Sequence, residues 1–308
     1  MVLLVERISK LYFKLENHHQ SQQPEALSAT LQAFRSDVSD CVHKLCLDLR
    51  PGSEILSFSW IQQCFQLIPS INKAFAKLVV DIDYHTSKWK SQSIEEYLKY
   101  SLSLLDLLNS ISSSLSHLGQ VRLSSAHALS LVESSPSSAI EHFNAIKFNR
   151  SIKDFEGQDD KENEKDLPLS DEEWIINQAL IELKSVGFWV CYVLLAGLSG
   201  DAKAYLEIRK SAGMFSNSSV IKLDMSISEA MMDRGVVLKE VKELNDAAAC
   251  IAAATAIEKV SNQAEEMQRR LKAFEQLLDG LEKEVNSLFS KILAERNELL
   301  DGIRLRKQ

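Results

Sequence analysis

Residues 257–292 read IEKVSNQAEEMQRRLKAFEQLLDGLEKEVNSLFSKI. Within them Ile257, Val260, Ala264, Met267, Leu271, Phe274, Leu278, Leu281, Val285, Leu288 and Ile292 recur at alternating steps of three and four, so eleven successive heptad seam positions are apolar. On an α-helix such residues form one continuous stripe, which is buried when neighbouring helices wrap against it. Leu277 and Phe289 widen the stripe beyond two positions per heptad, which favours a multi-helix bundle over a two-stranded coil. Gly280 falls off the seam, where it costs about 1 kcal/mol and does not stop the helix. The apolar pattern breaks at Glu295.

Upstream, Ser185–Gly200 carries no charge over sixteen residues and centres on Phe188-Trp189-Val190-Cys191-Tyr192-Val193-Leu194-Leu195. A membrane-spanning helix needs about 20 predominantly apolar residues, and Glu182, Lys184 and Asp201 close in before that length is reached. A fully buried central helix is the expectation, and a membrane-inserted or re-entrant helix is the alternative. The helix containing this run starts at Ser170, which has capping-box spacing to Glu173 and acids in its first turn. Between Gly200 and Gly235 the pattern is less regular.

Before Ser170 lies an acidic stretch. Asp154 to Glu173 holds ten acids against Lys161 and Lys165, a local charge equal to the −8 of the whole chain. It is too poor in apolar residues to order itself and reads as a flexible linker, 154–169. The first half shows helical periodicity throughout. Ile94, Tyr97, Leu98, Ser101, Leu104, Leu105, Leu108, Ile111, Leu115 and Leu118 define one buried face, with Gly119 a point of bending. A helix over about 53–81 has Pro69 inside it, where a kink or split is expected. Another runs from about 25 to 49, and a further one spans about 137–153 after Pro136. Residues 1–16 carry a short stripe of Leu4, Ile8, Leu11 and Leu15, which packs on the protein or lies on a membrane surface. The chain is thus expected to be all-α, an elongated bundle with long heptad-patterned C-terminal helices. Its parts are N-terminal helices (1–50), one half of the bundle (51–153), the linker and the other half (170–308).

Composition narrows the function. Ten glycines and five prolines in 308 residues leave too few turns for a β-sandwich or barrel. A formally neutral body with an acidic insert is unlike a nucleic-acid binder, which needs clustered Lys and Arg. The basic tip Arg304-Leu305-Arg306-Lys307 is too short to change that. Five scattered cysteines (Cys41, Cys46, Cys64, Cys191, Cys250), and an N-terminus interrupted by Glu6 and Arg7, fit reduced thiols in the cytoplasm. The sequons at Asn149 and Asn217 are then unused.

Chemical signatures are missing. Cys41, His43 and Cys46 are the densest metal-like cluster, but on a helix His43 points about 200° away from Cys41. Gly197-Leu198-Ser199-Gly200-Asp201 lacks a phosphate-loop Lys and follows a helix, so it reads as a helix C-cap. No nucleophile elbow or His-Glu-x-x-His occurs. No cofactor, metal or catalytic residue is expected.

Several passages resemble one family, the plant BYPASS-related proteins. They are Ile55-Leu56-Ser57-Phe58-Ser59-Trp60; Tyr97-Leu98, Ser101 and Leu104-Leu105-Asp106-Leu107; Leu115-Ser116-His117-Leu118-Gly119-Gln120 and His127-Ala128-Leu129; Ala196-Gly197-Leu198-Ser199-Gly200; Val237-Leu238-Lys239-Glu240-Val241; and Lys283-Glu284-Val285, Leu288-Phe289, Ile292, Arg296 and Leu299-Leu300. The resemblance covers about 50–304. It implies a mostly helical plant protein of development and stress signalling that restrains a root-derived mobile signal, with no assigned catalytic residues to carry over. Some members are chloroplastic, but this N-terminus lacks the Ser/Arg-rich character of a transit peptide.

A non-enzymatic regulatory or scaffold protein that binds other proteins is therefore the leading expectation, with self-association open. Its docking stripe would be Leu271, Phe274, Leu278, Leu281, Val285, Leu288 and Ile292, wherever the chain leaves them uncovered. The alternatives are a peripheral or single-pass membrane protein using 185–200 and an enzyme of a small signalling metabolite.

Overall fold

A computed structural model describes residues 24–47, 56–82, 91–146, 170–210, 217–253 and 257–306. These residues form the helices α1 (Pro24–Leu47), α2 (Phe58–Asp81), α3 (Ser91–Ser130), α4 (Pro136–Ala145), α5 (Asp171–Ser199), α6 (Lys203–Lys210), α7 (Ser218–Arg234), α8 (Lys239–Ala253) and α9 (Ile257–Arg306), with no strand among them. At 1.5 Å per residue, the fifty residues of α9 extend about 75 Å, so the bundle is long in one direction. The expected all-α bundle is what forms. The stripe on residues 1–16 and the acidic linker lie outside the described residues.

Local chemistry fixes the helix ends. Ser57 Oγ accepts from Trp60 N at 3.2 Å, Ser170 Oγ accepts from Glu173 N at 3.3 Å, and Asn217 Oδ1 accepts from Ser219 N at 3.0 Å, each satisfying a donor that the first turn leaves unpaired. Gly200 closes α5 in the left-handed region at φ 71°, the C-cap that its position after a long apolar run predicts.

The centre of the bundle is α5. Trp189, Val190, Cys191, Val193, Leu194, Leu195 and Leu198 are each at most 2% exposed, covered by α1, α2, α3 and α6. This helix is long and apolar enough to cross a membrane, yet 78% of its most apolar stretch is buried inside the protein. That is how a soluble core helix looks as well as a spanning one. Side-chain contacts give the directions. Ser93 bonds Glu173 and Lys184 pairs with Glu96, and the Tyr100 ring sits over Gly187, so α3 runs parallel to α5. Arg296 reaches Leu98 and Ser101 near one end of α3, while Arg122 pairs with Glu275 at 3.0 Å farther along, so α9 runs antiparallel to α3. One contiguous apolar core takes residues from both halves of the chain.

The structure refines three local readings, and corrects one of them. Of the kink or split expected at Pro69, the split does not occur: α2 continues from Phe58 to Asp81. The proline is half-buried while Leu67, Ile68 and Ile71 are buried around it, and packing on both sides outweighs one lost backbone bond. Beyond the break in the apolar pattern at Glu295 the helix runs on to Arg306, and Leu299 returns to the core after the polar interval. The less regular region before Gly235 holds two helices, α6 and α7, whose interior faces include charged and polar residues that dilute the apolar signal.

Candidate functional site

The expected docking stripe lies inside the protein. Leu271, Phe274, Leu278, Leu281, Val285, Leu288 and Ile292 are each at most 6% exposed, because α3, α8 and α2 cover α9. Phe274 packs edge-on against Phe58 with ring centroids 5.2 Å apart. The correction follows from the width of the stripe: a seam broadened by extra apolar positions holds more than one neighbour, and the chain supplies these itself. The side chains of Ile257 and Val260, at its start, lie outside what is described.

The polar side chains instead gather at three places. The first is on α7. Asp224, 5% exposed, lies on the inner face of that helix. Its Oδ1 accepts from Trp189 Nε1 at 2.9 Å and from the Tyr205 hydroxyl at 2.7 Å, and its Oδ2 accepts from Arg209 Nε at 2.7 Å. Arg209 also donates to Ser228 Oγ at 2.6 Å and lies over the Tyr205 ring, 5.8 Å from its centroid. One carboxylate thus ties α5, α6 and α7 with three donors, the full complement a buried anion needs. Burial first, then the hydrogen bond to Asp224, pushes the Tyr205 hydroxyl well above its ordinary pKa, so it stays a donor. An open depression of about 640 Å³ along the outer side of α6, lined by Asp201, Lys203, Glu207 and Lys210 among others, adjoins this cluster.

The second place is around Glu182 of α5, 3% exposed. It takes Arg35 Nε at 3.2 Å and Asn217 Nδ2 at 3.2 Å, and Asn217 Nδ2 also reaches Arg35 O at 3.4 Å. The sequon nitrogen of Asn217 is therefore engaged in holding α1, α5 and α7 together. Nearby, the hydroxyls of Ser39 and Ser219 are 2.5 Å apart.

The third is a junction between the two halves. Leu56, buried, adopts φ 65°, a backbone conformation that costs a bulky L-residue roughly 1–2 kcal/mol. The neighbours hold it there. Leu56 O accepts from Lys239 N at 3.0 Å, and both carboxylate oxygens of Glu240 lie 3.1 Å from Phe58 N. Glu240 thereby places a carboxylate of α8 on the N-terminus of α2, where the helix dipole favours it. Burial raises the Glu240 pKa above the usual carboxylate value, opposed by the N–H groups it accepts from and by Lys239. Opposite, the backbone of Gly197 approaches so closely that a Cβ there would lie 3.1 Å from Leu56 Cδ2 and 3.5 Å from Ile61 Cδ1.

These groups cross-link helices. No group of three or more His, Cys, Asp or Glu side chains that would hold a metal exists among the described residues. His43 is exposed and Cys41 half-buried on α1, and Cys46 lies outside the described side chains. Cys64 and Cys191 are buried free thiols with pKa values raised by burial, inert as small apolar side chains. Cys250, expected among apolar neighbours, is exposed.

The sequence reading gave no role to Asp224, Arg209, Glu240 or Arg296, the last two of which stand only within the passages that carry the resemblance. Asp224 had a visible signal, since it shares an apolar helix face with Val220 and Ile227 and so needs a buried partner. Glu240 had none, because an acid in the first turn of its own helix is ordinary and its bond to Phe58 spans 182 residues.

Comparison with known proteins extends the picture. A family model described as "BPS1: Protein BPS1" matches residues 83–301. Among curated proteins, "UPF0496 protein 4" of Oryza sativa subsp. japonica is 24% identical over 248 residues, covering 73% of this chain and 54% of that protein. Its counterpart in the indica subspecies matches over the same extent. "Protein BPS1, chloroplastic" of Arabidopsis thaliana is 29% identical over 121 residues, covering 39% of this chain and 34% of the relative. The chain thus matches about half the length of the rice proteins. None of these names denotes an enzyme. No solved structure matches the chain.

Proposed function

The chain belongs to the BPS1 family, and from that premise we propose that it is a non-enzymatic regulatory protein of plant development that acts by binding other proteins. One observation supports the non-enzymatic reading above others. The buried carboxylates Glu173, Glu182 and Asp224 and the half-buried Glu240 each take hydrogen bonds from a neighbouring helix, so these acids serve as struts. A helical body whose interior acids are engaged in this way is suited to present a surface. The site of action is the cytoplasm, in keeping with the unpaired thiols of Cys41, Cys64, Cys191 and Cys250.

Affinity capture with the tagged full-length chain from plant tissue tests the proposal. It should return a defined protein partner that repeats between preparations and survives a wash in moderate salt. Repeated recovery of none, or conversion of a metabolite by the purified chain, overturns it.

A further inference from the structure

We infer that the outer face of α7 pairs two copies of this chain, antiparallel, about a two-fold axis between Met225 and Ser228. Met232 is 73% exposed and Met225 61%, more than any other large apolar side chain among the described residues, and Ile221 is 40% exposed. All three fall within about 40° of one another around the helix at 100° per residue. Scattered exposed apolar residues need no explanation, but a stripe concentrated on one helix marks an interaction surface. Methionine is the side chain that adapts best to such contacts.

The identity of the occupant is written in the spacing. Ile221, Met225, Ser228 and Met232 follow at steps of four, three and four, a pattern that reads the same in both directions. An antiparallel second copy therefore sets Ile221 against Met232 and Met225 against Ser228, twice over. Ser228 is 5% exposed and held by Arg209, so the methionine of the other copy lies over that pair at the edge of the stripe. Charge chooses the direction. Lys222 and Glu229 lie on one side of the stripe, seven residues apart. Antiparallel pairing brings Lys222 of each copy to within about 3 Å, along the axis, of Glu229 of the other, whereas parallel pairing about a two-fold axis puts the two copies of this flank on opposite sides of the seam, where they do not meet. On the opposite side Arg209 is neutralised by its own Asp224. This is the self-complementarity that a two-fold interface requires. One helix pair buries less than the roughly 1,000 Å² of a permanent interface, so the dimer is weak and concentration-dependent.

Sedimentation of the purified full-length chain from about 1 to 300 µM tests this. The wild type should shift from monomer to dimer within that range, Met225→Glu should remain monomeric with an unchanged thermal melt, and Lys222→Glu or Glu229→Lys alone should weaken association about tenfold. Lys222→Glu combined with Glu229→Lys should restore it. A monomer at every concentration, a dimer indifferent to Met225→Glu, or failure of the double exchange to rescue overturns the inference.

Discussion

Gly187 faces the edge of the Tyr100 ring, and a Cβ at that position would lie 2.6 Å from the hydroxyl and 3.2–3.3 Å from two ring carbons. Tyr100 is buried and packs on Phe188 and Tyr97, so it cannot swing aside. Overpacking of this kind costs about 1–3 kcal/mol, more than the roughly 1 kcal/mol that alanine gains over glycine in a helix. Gly187→Ala should therefore destabilise the protein. Gly119 and Gly280 meet nothing within 4 Å, so alanine at either should stabilise by about 0.5–1 kcal/mol. Urea denaturation of the three variants checks the opposite signs. The tolerance at Gly280 was legible, because a residue off the heptad seam faces outward. Gly187 was not, since its restriction comes from a tyrosine on another helix that sequence spacing cannot place.

Glu240 is where one helix completes another, and its titration reports on that contact. Its pKa in the folded protein is raised by burial above the ordinary 4.5. Below 4.5 the carboxyl is protonated folded and unfolded, and its share of stability is fully present; as pH rises through the raised value, ionisation in a buried place removes that share. The wild type should therefore lose stability relative to Glu240→Gln across that window, with a constant difference on either side. Chemical denaturation at closely spaced pH values measures it, and a wild type that gains over the variant with rising pH contradicts the assignment. Most helices themselves were readable from periodicity and caps: α3 carries a sustained apolar face, α9 one that runs from Ile257 to Ile292, and Ser170 and Gly200 mark α5. Pro69 is a local signal of a split, and tertiary burial overrode it.

Across the whole molecule, the apolar run of α5 decides between a soluble body and an inserted one. Leu194 is fully buried among its neighbours. A charge there has no partner and no water. Leu194→Arg should cost more than about 4 kcal/mol and leave the chain unfolded and insoluble, while the wild type should be released completely from microsomes by carbonate. A variant that folds normally, with a wild type that resists carbonate, would place α5 in lipid. At this scale the fold class was legible because heptads and amphipathic faces state what packs. The proposed pairing surface was not: the broadest apolar stripe is the one the fold uses up, and three exposed side chains on a short helix carry little weight in a sequence. The antiparallel seating of α9 on α3 has one further consequence, in time. Ser101 meets Arg296 across 195 residues of chain. At synthesis rates of 5–20 residues per second, roughly 10–40 seconds separate their emergence. Throughout that interval the greasy flank of α3 waits on the ribosome without its cover, a natural client for chaperones, and a transcript truncated before α9 would yield a sticky fragment rather than a smaller working protein.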